Sequence, residues 1–219
     1  TDGATTLENG LNSRLVDGLS VLEQVRELAE DRKVHAVLFG GDFFHARKQL
    51  HSEAVIRGLD AIRAFRDRNA ILVVMIAGNH DQPDKSGGRS SLTLFEDTAM
   101  VLEQAETLSQ AHDDFEIIAV PFREDARFQE AQIRELAAEP RTKKTRIILA
   151  HIPVLGAKIG TDFLSSSHSD LDRSIFNEID FDYAFLGHFH EHQEIIPGKV
   201  WYIGATHQHN WGDVGAKRG

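Results

Sequence analysis

Four short apolar runs in this chain each end in side chains able to hold a metal ion. VLFGGD ends in Asp42, VVMIAGNHD in Asn79, His80 and Asp81, RIILAH in His151, and YAFLGHFH in His188 and His190. Oxygen donors mixed with imidazoles, and no sulfur, suit Mn2+, Fe or Zn2+ better than Mg2+ or Ca2+. Each piece alone is weak, because a single histidine after a strand is more often an ordinary hydrogen-bonded residue. GHFH carries more. Its histidines are two apart, so an extended backbone puts both on one side, and the preceding glycine permits a close approach. In GNH the amide oxygen is a poor general base but a serviceable metal ligand. GDFFH adds a further histidine, His45, three residues after Asp42.

The elements that must position these residues follow from periodicity. Leu11, Leu15, Leu19, Leu22, Val25 and Leu28 recur at three- and four-residue steps and predict an amphipathic helix over 11–31. Val34 to Phe39 is a run of strand length closed by glycines, and Ile71 to Ala77 is a second. Between them Val55, Leu59, Ile62 and Phe65 mark a helix over 52–67. A helix over 92–104, a strand over 116–120, a helix over 127–138 and a strand over 145–150 continue the alternation. A short helix near 171–178 and a strand over 182–186 follow, then a hairpin turning at Pro197 and Gly198. Strands alternating with helices imply α/β layers. In such layers, sites gather in the loops beyond the carboxyl ends of the strands, so the four tips can converge. The polar stretch 82–91, QPDKSGGRSS, reads as a loop.

Composition narrows the field. At 219 residues, with 41% hydrophobic and 26% charged residues, the chain suits one domain over 1–219. The absence of cysteine excludes disulfides, thiolate metal sites and a cysteine nucleophile, and it fits a reducing compartment. No apolar run has the length to span a bilayer and no signal-peptide pattern is visible, so the expectation is a cytoplasmic protein without membrane contact. A formal charge of −10 disfavours broad nonspecific affinity for nucleic acid. Carboxylates grouped around divalent cations contribute negative formal charge yet present a positive site once the ions are bound. The charge is therefore compatible with a metal-dependent enzyme acting on phosphodiesters.

The order Asp, Asn-His, His, His-x-His, each after an apolar strand, resembles the calcineurin-like metallophosphoesterases. Motifs in that family run D-x-H, G-D, G-N-H-[DE], H and G-H-x-H, and residues 40–190 carry the last four. The resemblance implies an α/β fold, a four-layer αββα sandwich of two mixed β-sheets flanked by helices. It also implies two divalent metal ions, Mn2+ foremost, with Fe or Zn2+ as alternatives. On that pattern Asp42 bridges both ions, Asn79, His151 and His188 ligate one, and His190 reaches the other. His80 faces the scissile phosphate and stabilises charge or protonates the leaving oxygen, with Asp81 orienting its ring. The implied reaction is in-line attack on phosphorus at a two-metal centre.

The chain departs from the pattern at its front. Asp2, Asp17 and Asp31 are followed by Gly-Ala, Gly-Leu and Arg-Lys, so no D-x-H precedes Asp42. The expectation is that the first strand and its D-x-H motif lie before Thr1.

Within the superfamily, GDFFH and GHFHEHQ resemble the SbcD-type DNA-repair nucleases, where the final motif continues G-H-x-H-x-x-Q as Gln193 does here. WYIGATHQHNWGDVGAKRG resembles the segment reading Y-x-G-S that precedes a DNA-contacting capping domain, although Ala205 stands where serine is commoner. Residues 192–219 are then expected to lead toward a capping domain beyond Gly219. The resemblance implies a DNA nuclease, a double-strand exonuclease, a single-strand endonuclease or both. It also implies an SbcC-like ATPase partner and allows a homodimer. The alternatives are a small-molecule phosphodiesterase or phosphatase of the same superfamily, and a catalytically degenerate scaffold. His45 has two readings: a loop histidine beside the metal site, or a residue near His80 that helps place the phosphodiester. Arg47, Lys48 and Arg89 are candidates for phosphate contacts, and His207, His209 and Trp211 for base stacking.

Overall fold

The apolar faces read above fold as three stacked cores. The computed structural model describes residues 7, 10–47, 49–84, 89–160, 163–167, 170–208 and 211–219; Lys48 and His209 lie outside them. Helices α1 (Ser13–Asp31) and α2 (Ser52–Asn69) cover one face of a sheet formed by β1 (Ala36–Phe39), β2 (Leu72–Ile76) and β3 (Met100–Leu102). Ile62 and Phe65 of α2 meet Val73, Met75, Leu92 and Phe95 in that layer. Asn12 caps α1 by accepting the N–H of Arg14, which satisfies one of the helix's orphan donors.

The second sheet is built from β4 (Glu106–Leu108), β5 (Phe115–Val120), β6 (Thr145–His151), β9 (Tyr183–Gly187), β10 (Gln193–Ile196) and β11 (Val200–Tyr202). Their order across it is β10-β11-β9-β6-β5-β4. It is mixed: β4 and β10 pair antiparallel with their neighbours, and the central strands run parallel. The three strands of the smaller sheet are parallel to one another. Val74, Ile76, Ile117, Ala119 and Leu149 pack between the sheets. Helix α3 (Ala126–Ala138) closes the far face through Ile133 against Ile118 and Ile148. The result is the expected α/β/β/α sandwich. β5, β6 and β9 are almost wholly apolar because both of their faces are covered.

Three segments differ from the periodicity reading. The helix expected over 92–104 is a 3-10 turn, Ser91–Phe95, followed by β3 and β4. Leu92 and Phe95 are fully buried at a three-residue spacing, which one 3-10 turn satisfies. Met100, Val101 and Leu102 then pair with Val74, Met75 and Ile76, and sheet pairing overrides helical propensity. The helix near 171–178 is a 3-10 turn, Arg173–Asn177. A small hairpin of β7 (Lys158–Ile159) and β8 (Phe163–Leu164) has strands too short to leave a periodic signal. Among the described residues, no helix is long and apolar enough to cross a membrane.

One polar network lies inside the sandwich. Arg146 on β6 and Glu116 on β5 are 1% and 0% exposed and pair at 2.6 Å. Arg146 also donates to the carbonyls of Ala137 and Glu139, the orphan acceptors at the end of α3. Thr142 donates its backbone N–H and its hydroxyl to the other Glu116 oxygen. Removing one partner of such a pair leaves a buried charge, so Arg146→Ala should lose about 3–5 kcal/mol in urea unfolding. Burial raises the Glu116 carboxyl, but the Thr142 and Arg146 donors more than offset it, so Glu116 ionises below its ordinary value. Its contribution is therefore present above the unfolded carboxyl pKa and is lost as pH falls through the folded one. Glu116→Gln should flatten that acid limb of the stability profile.

Candidate metal centre

Parallel pairing brings the ends of β1 and β2 to one edge of the first sheet and the ends of β6 and β9 to the same edge of the second. The backbone N–H of Phe122, just past β5, donates to the carbonyl of Ala77, just past β2, at 2.8 Å and joins the sheets there. Gln129 of α3 donates to the carbonyls of Pro121 and His151 and fixes the end of β6. The four strand ends meet as a result.

His151 Nδ1 is 2.7 Å from the carbonyl oxygen of Gly40. An acceptor in that position places the proton on Nδ1 and leaves Nε2 a bare lone pair. That Nε2 lies 3.1 Å from Asn79 Oδ1 and 3.5 Å from Asp42 Oδ2. His188 Nδ1 lies 3.1 Å from the same Asn79 oxygen and 3.3 Å from His151 Nε2. The bare His151 Nε2 thus meets two acceptor oxygens and the His188 nitrogen, which can supply at most a single proton. A cation reconciles them better than a proton does.

The spacings fit as well: four donors around an ion at about 2.1 Å stand roughly 3.0–3.5 Å apart. Counting His, Asp and Glu alone, no group of three or more among the described residues is arranged to hold a metal ion. The fit depends on the Asn79 amide oxygen between the two imidazoles.

The electrostatics agree with the chemistry of ligands. Burial, and then the neighbouring His151 ring, push His188 down to about 3 against the pull of Asp42, so its imidazole is neutral at physiological pH. Burial raises Asp42, but His151 and the His80 N–H outweigh it, and Asp42 ionises below its ordinary value. His188 has φ 99° and Asp42 φ 61°, backbone conformations that non-glycine residues rarely adopt. Strain held at such positions is typical of sites where side chains are aimed.

Glycine makes the convergence possible. A Cβ on Gly78 would overlap Asp42 Oδ1 and stand 2.7 Å from His151 Cε1, and one on Gly187 would overlap the Gly40 carbonyl. Gly78→Ala should therefore displace Asp42 and His151, costing about 1–3 kcal/mol in thermal unfolding and weakening divalent-metal binding in a calorimetric titration.

His80 and Asp81 take different places. The His80 backbone N–H donates to Asp42 Oδ1 at 2.8 Å, and its ring Nδ1 lies 2.8 Å from the carbonyl oxygen of His45. The His45 and His80 rings stack with centroids 5.1 Å apart. The His80 ring is thus oriented by the His45 carbonyl, whereas the motif assigned that task to Asp81. The Asp81 carboxylate instead accepts the backbone N–H groups of Asp42, Phe44 and Gly78 at 2.6, 3.3 and 2.9 Å. It clasps the two ligand loops together. Burial pushes Asp81 up to about 7 even against those donors.

His190 has Nδ1 3.1 Å from Asp213 Oδ1. Sequence reading missed Asp213, which lies 23 residues along the chain from His190 in no recognised motif. It also missed Phe122, whose ring stacks on His188 and meets His151 edge-on. A phenylalanine after a strand carries no signal of such a role. Trp211 is 92% exposed.

A family model described as calcineurin-like phosphoesterase matches residues 16–192, and the chain belongs to that family, whose members are hydrolases. It is 24% identical over 178 residues to the DNA double-strand break repair protein Mre11 of Methanocaldococcus jannaschii, covering 80% of this chain and 46% of that protein. It is 33% identical over 90 residues to the SbcD component of the SbcCD nuclease of Bacillus subtilis, covering 40% of this chain and 22% of that protein. The chain thus spans about half or less of the curated relatives it matches. A solved structure aligns over 84% of this chain and 85% of its own at 12% identity, with a TM-score of 0.50, a likeness of fold.

Proposed function

We propose that this calcineurin-like phosphoesterase is a divalent-metal-dependent nuclease that hydrolyses DNA phosphodiesters. The observation that carries the proposal is the gathering of Asp42 Oδ2, Asn79 Oδ1 and His188 Nδ1 around His151 Nε2 within 3.1–3.5 Å. These four residues would hold one ion, and His190 would serve a second with Asp42 as the shared carboxylate. Mn2+ suits the mixed oxygen and nitrogen donors, with Fe or Zn2+ as alternatives. When bound, such ions supply Lewis acidity, drawing charge from the phosphoryl oxygens and making a nucleophile available near neutral pH.

The chain's own residues do the remainder. His80, with Nδ1 committed to the His45 carbonyl, keeps Nε2 as the nitrogen that can hold and release a proton to the departing oxygen. The His45 ring limits rotation of His80 by stacking on it. Asp81 keeps the loops that carry Asp42 and His80 in register. Phe122 supplies an apolar wall that keeps water off the imidazoles of His151 and His188. DNA is favoured as the substrate because the relatives named above are a DNA break-repair protein and a nuclease component, and an ATPase partner of the SbcC type is part of the same proposal.

The test uses the full-length protein with Mn2+ on linear duplex DNA, circular single-stranded DNA and bis(p-nitrophenyl) phosphate. Cleavage of DNA at least as efficient as of the chromogenic ester is expected. Turnover of the ester with no cleavage of either DNA would move the assignment to a small-molecule phosphodiesterase.

A further inference from the structure

Asp213 belongs to none of the recognised motifs, yet it is buried, at 3% exposure, beside one of them. The β10–β11 hairpin turns the chain back so that the 3-10 turn Trp211–Asp213 lies against His190. Both Asp213 oxygens face the same ring nitrogen, at 3.1 and 3.2 Å from His190 Nδ1. The turn is anchored independently of that side chain, because the Asp213 carbonyl accepts from Arg218 at 2.8 Å.

We propose that Asp213 is a positioning residue, accepting the Nδ1–H of His190 and thereby fixing both the ring and its tautomer. A neutral imidazole has one N–H and one lone pair. A lone pair on Nδ1 would face two anionic oxygens at hydrogen-bonding distance, so the proton resides there. Nε2 is then the bare nitrogen, the state that a metal ligand requires. The His190 side chain is 37% exposed, against 1% for His151, so packing restrains it far less. His151 is oriented by a neutral carbonyl, and His190 by a carboxylate, which also makes the opposite ring nitrogen a stronger donor. Burial of a carboxylate is costly unless it is paired, so the contact serves Asp213 as well.

The bearing of this on metal binding rests on the function proposed above; the tautomer does not. Long-range 1H–15N spectra of 15N-histidine-labelled full-length protein, recorded above the imidazole titration range, read the tautomer directly, and His190→Gln assigns the signals. The wild-type protein should show His190 as the Nδ1–H form, and an Nε2–H form there overturns the proposal without any variant.

Asp213→Ala should lose the Nδ1–H form and bind Mn2+ about 10–100-fold more weakly by calorimetry. Asp213→Asn, whose amide oxygen can still accept, should retain the tautomer and lose less affinity. An Asp213→Ala protein with unchanged tautomer and unchanged Mn2+ affinity overturns the proposal. A changed tautomer with unchanged affinity overturns its link to the metal. If the wild-type protein binds no Mn2+ while the tautomer still follows Asp213, the proposed function fails and the positioning role stands.

Discussion

An Asp42→Asn protein should fold and lose the proposed Mn2+-supported phosphodiesterase activity by roughly three orders of magnitude or more. The substitution preserves volume and one amide oxygen, so the acceptor for the His80 N–H, 2.8 Å from Asp42 Oδ1, can be kept. What it removes is the negative charge shared with His151, whose Nε2 stands 3.5 Å from Asp42 Oδ2. Asp42 is also the residue expected to serve both ions, so one substitution weakens two sites at once. Several kcal/mol of charge stabilisation is at stake, and about 1.4 kcal/mol corresponds to each factor of ten. Initial rates across a Mn2+ titration check the prediction. A variant within tenfold of wild type at saturating Mn2+ would show that Asp42 is not the central ligand.

His80→Asn should lower DNA cleavage by about 10²–10⁴-fold, the range for loss of a general acid, with Mn2+ affinity unchanged. The backbone N–H that His80 gives to Asp42 survives the substitution, so the metal centre should stay assembled. The diagnostic is the leaving group. A DNA alkoxide needs a proton as it departs, whereas p-nitrophenolate does not. The defect should therefore shrink markedly on p-nitrophenyl esters. Equal losses on both substrates would assign His80 to charge stabilisation rather than proton transfer.

Much of this arrangement was legible in the residues. Every apolar run that ends in Asp42, Asn79, His151 or His188 is a strand, and all four ends lie at one edge because the strands run parallel. Gly187 announced a tight approach, and the contacts a Cβ would meet there show why; Gly40, Gly41 and Gly78, read only as strand ends, are packed as closely. The 3.6-residue pattern also gave α1 and α2 within a few residues, and the helix expected over 127–138 is α3.

What could not be read has a common cause. Leu92, Phe95 and Leu102 are spaced as a helix would space them, yet β2 offered β3 a parallel partner, and only the fold decides between those outcomes. Arg146 and Glu116 look like solvent-facing strand residues until α3 buries them. Asp213 is an unremarkable acid in sequence, and its contact with His190 exists only because a hairpin folds back. The orientation of His80 depends on a backbone carbonyl, at His45, which no side-chain pattern can indicate.

Asp42, Asn79, His151 and His188 are proposed to hold one divalent cation together. Calorimetric titration of Mn2+ into the full-length wild-type protein and His151→Ala, each confirmed folded by circular dichroism, tests this most directly. Saturable binding by the wild type and a loss of at least about 100-fold in the variant are expected, because a buried ligand is removed. Indistinguishable titrations, or phosphodiester hydrolysis by the wild type that persists undiminished in excess chelator, would contradict it.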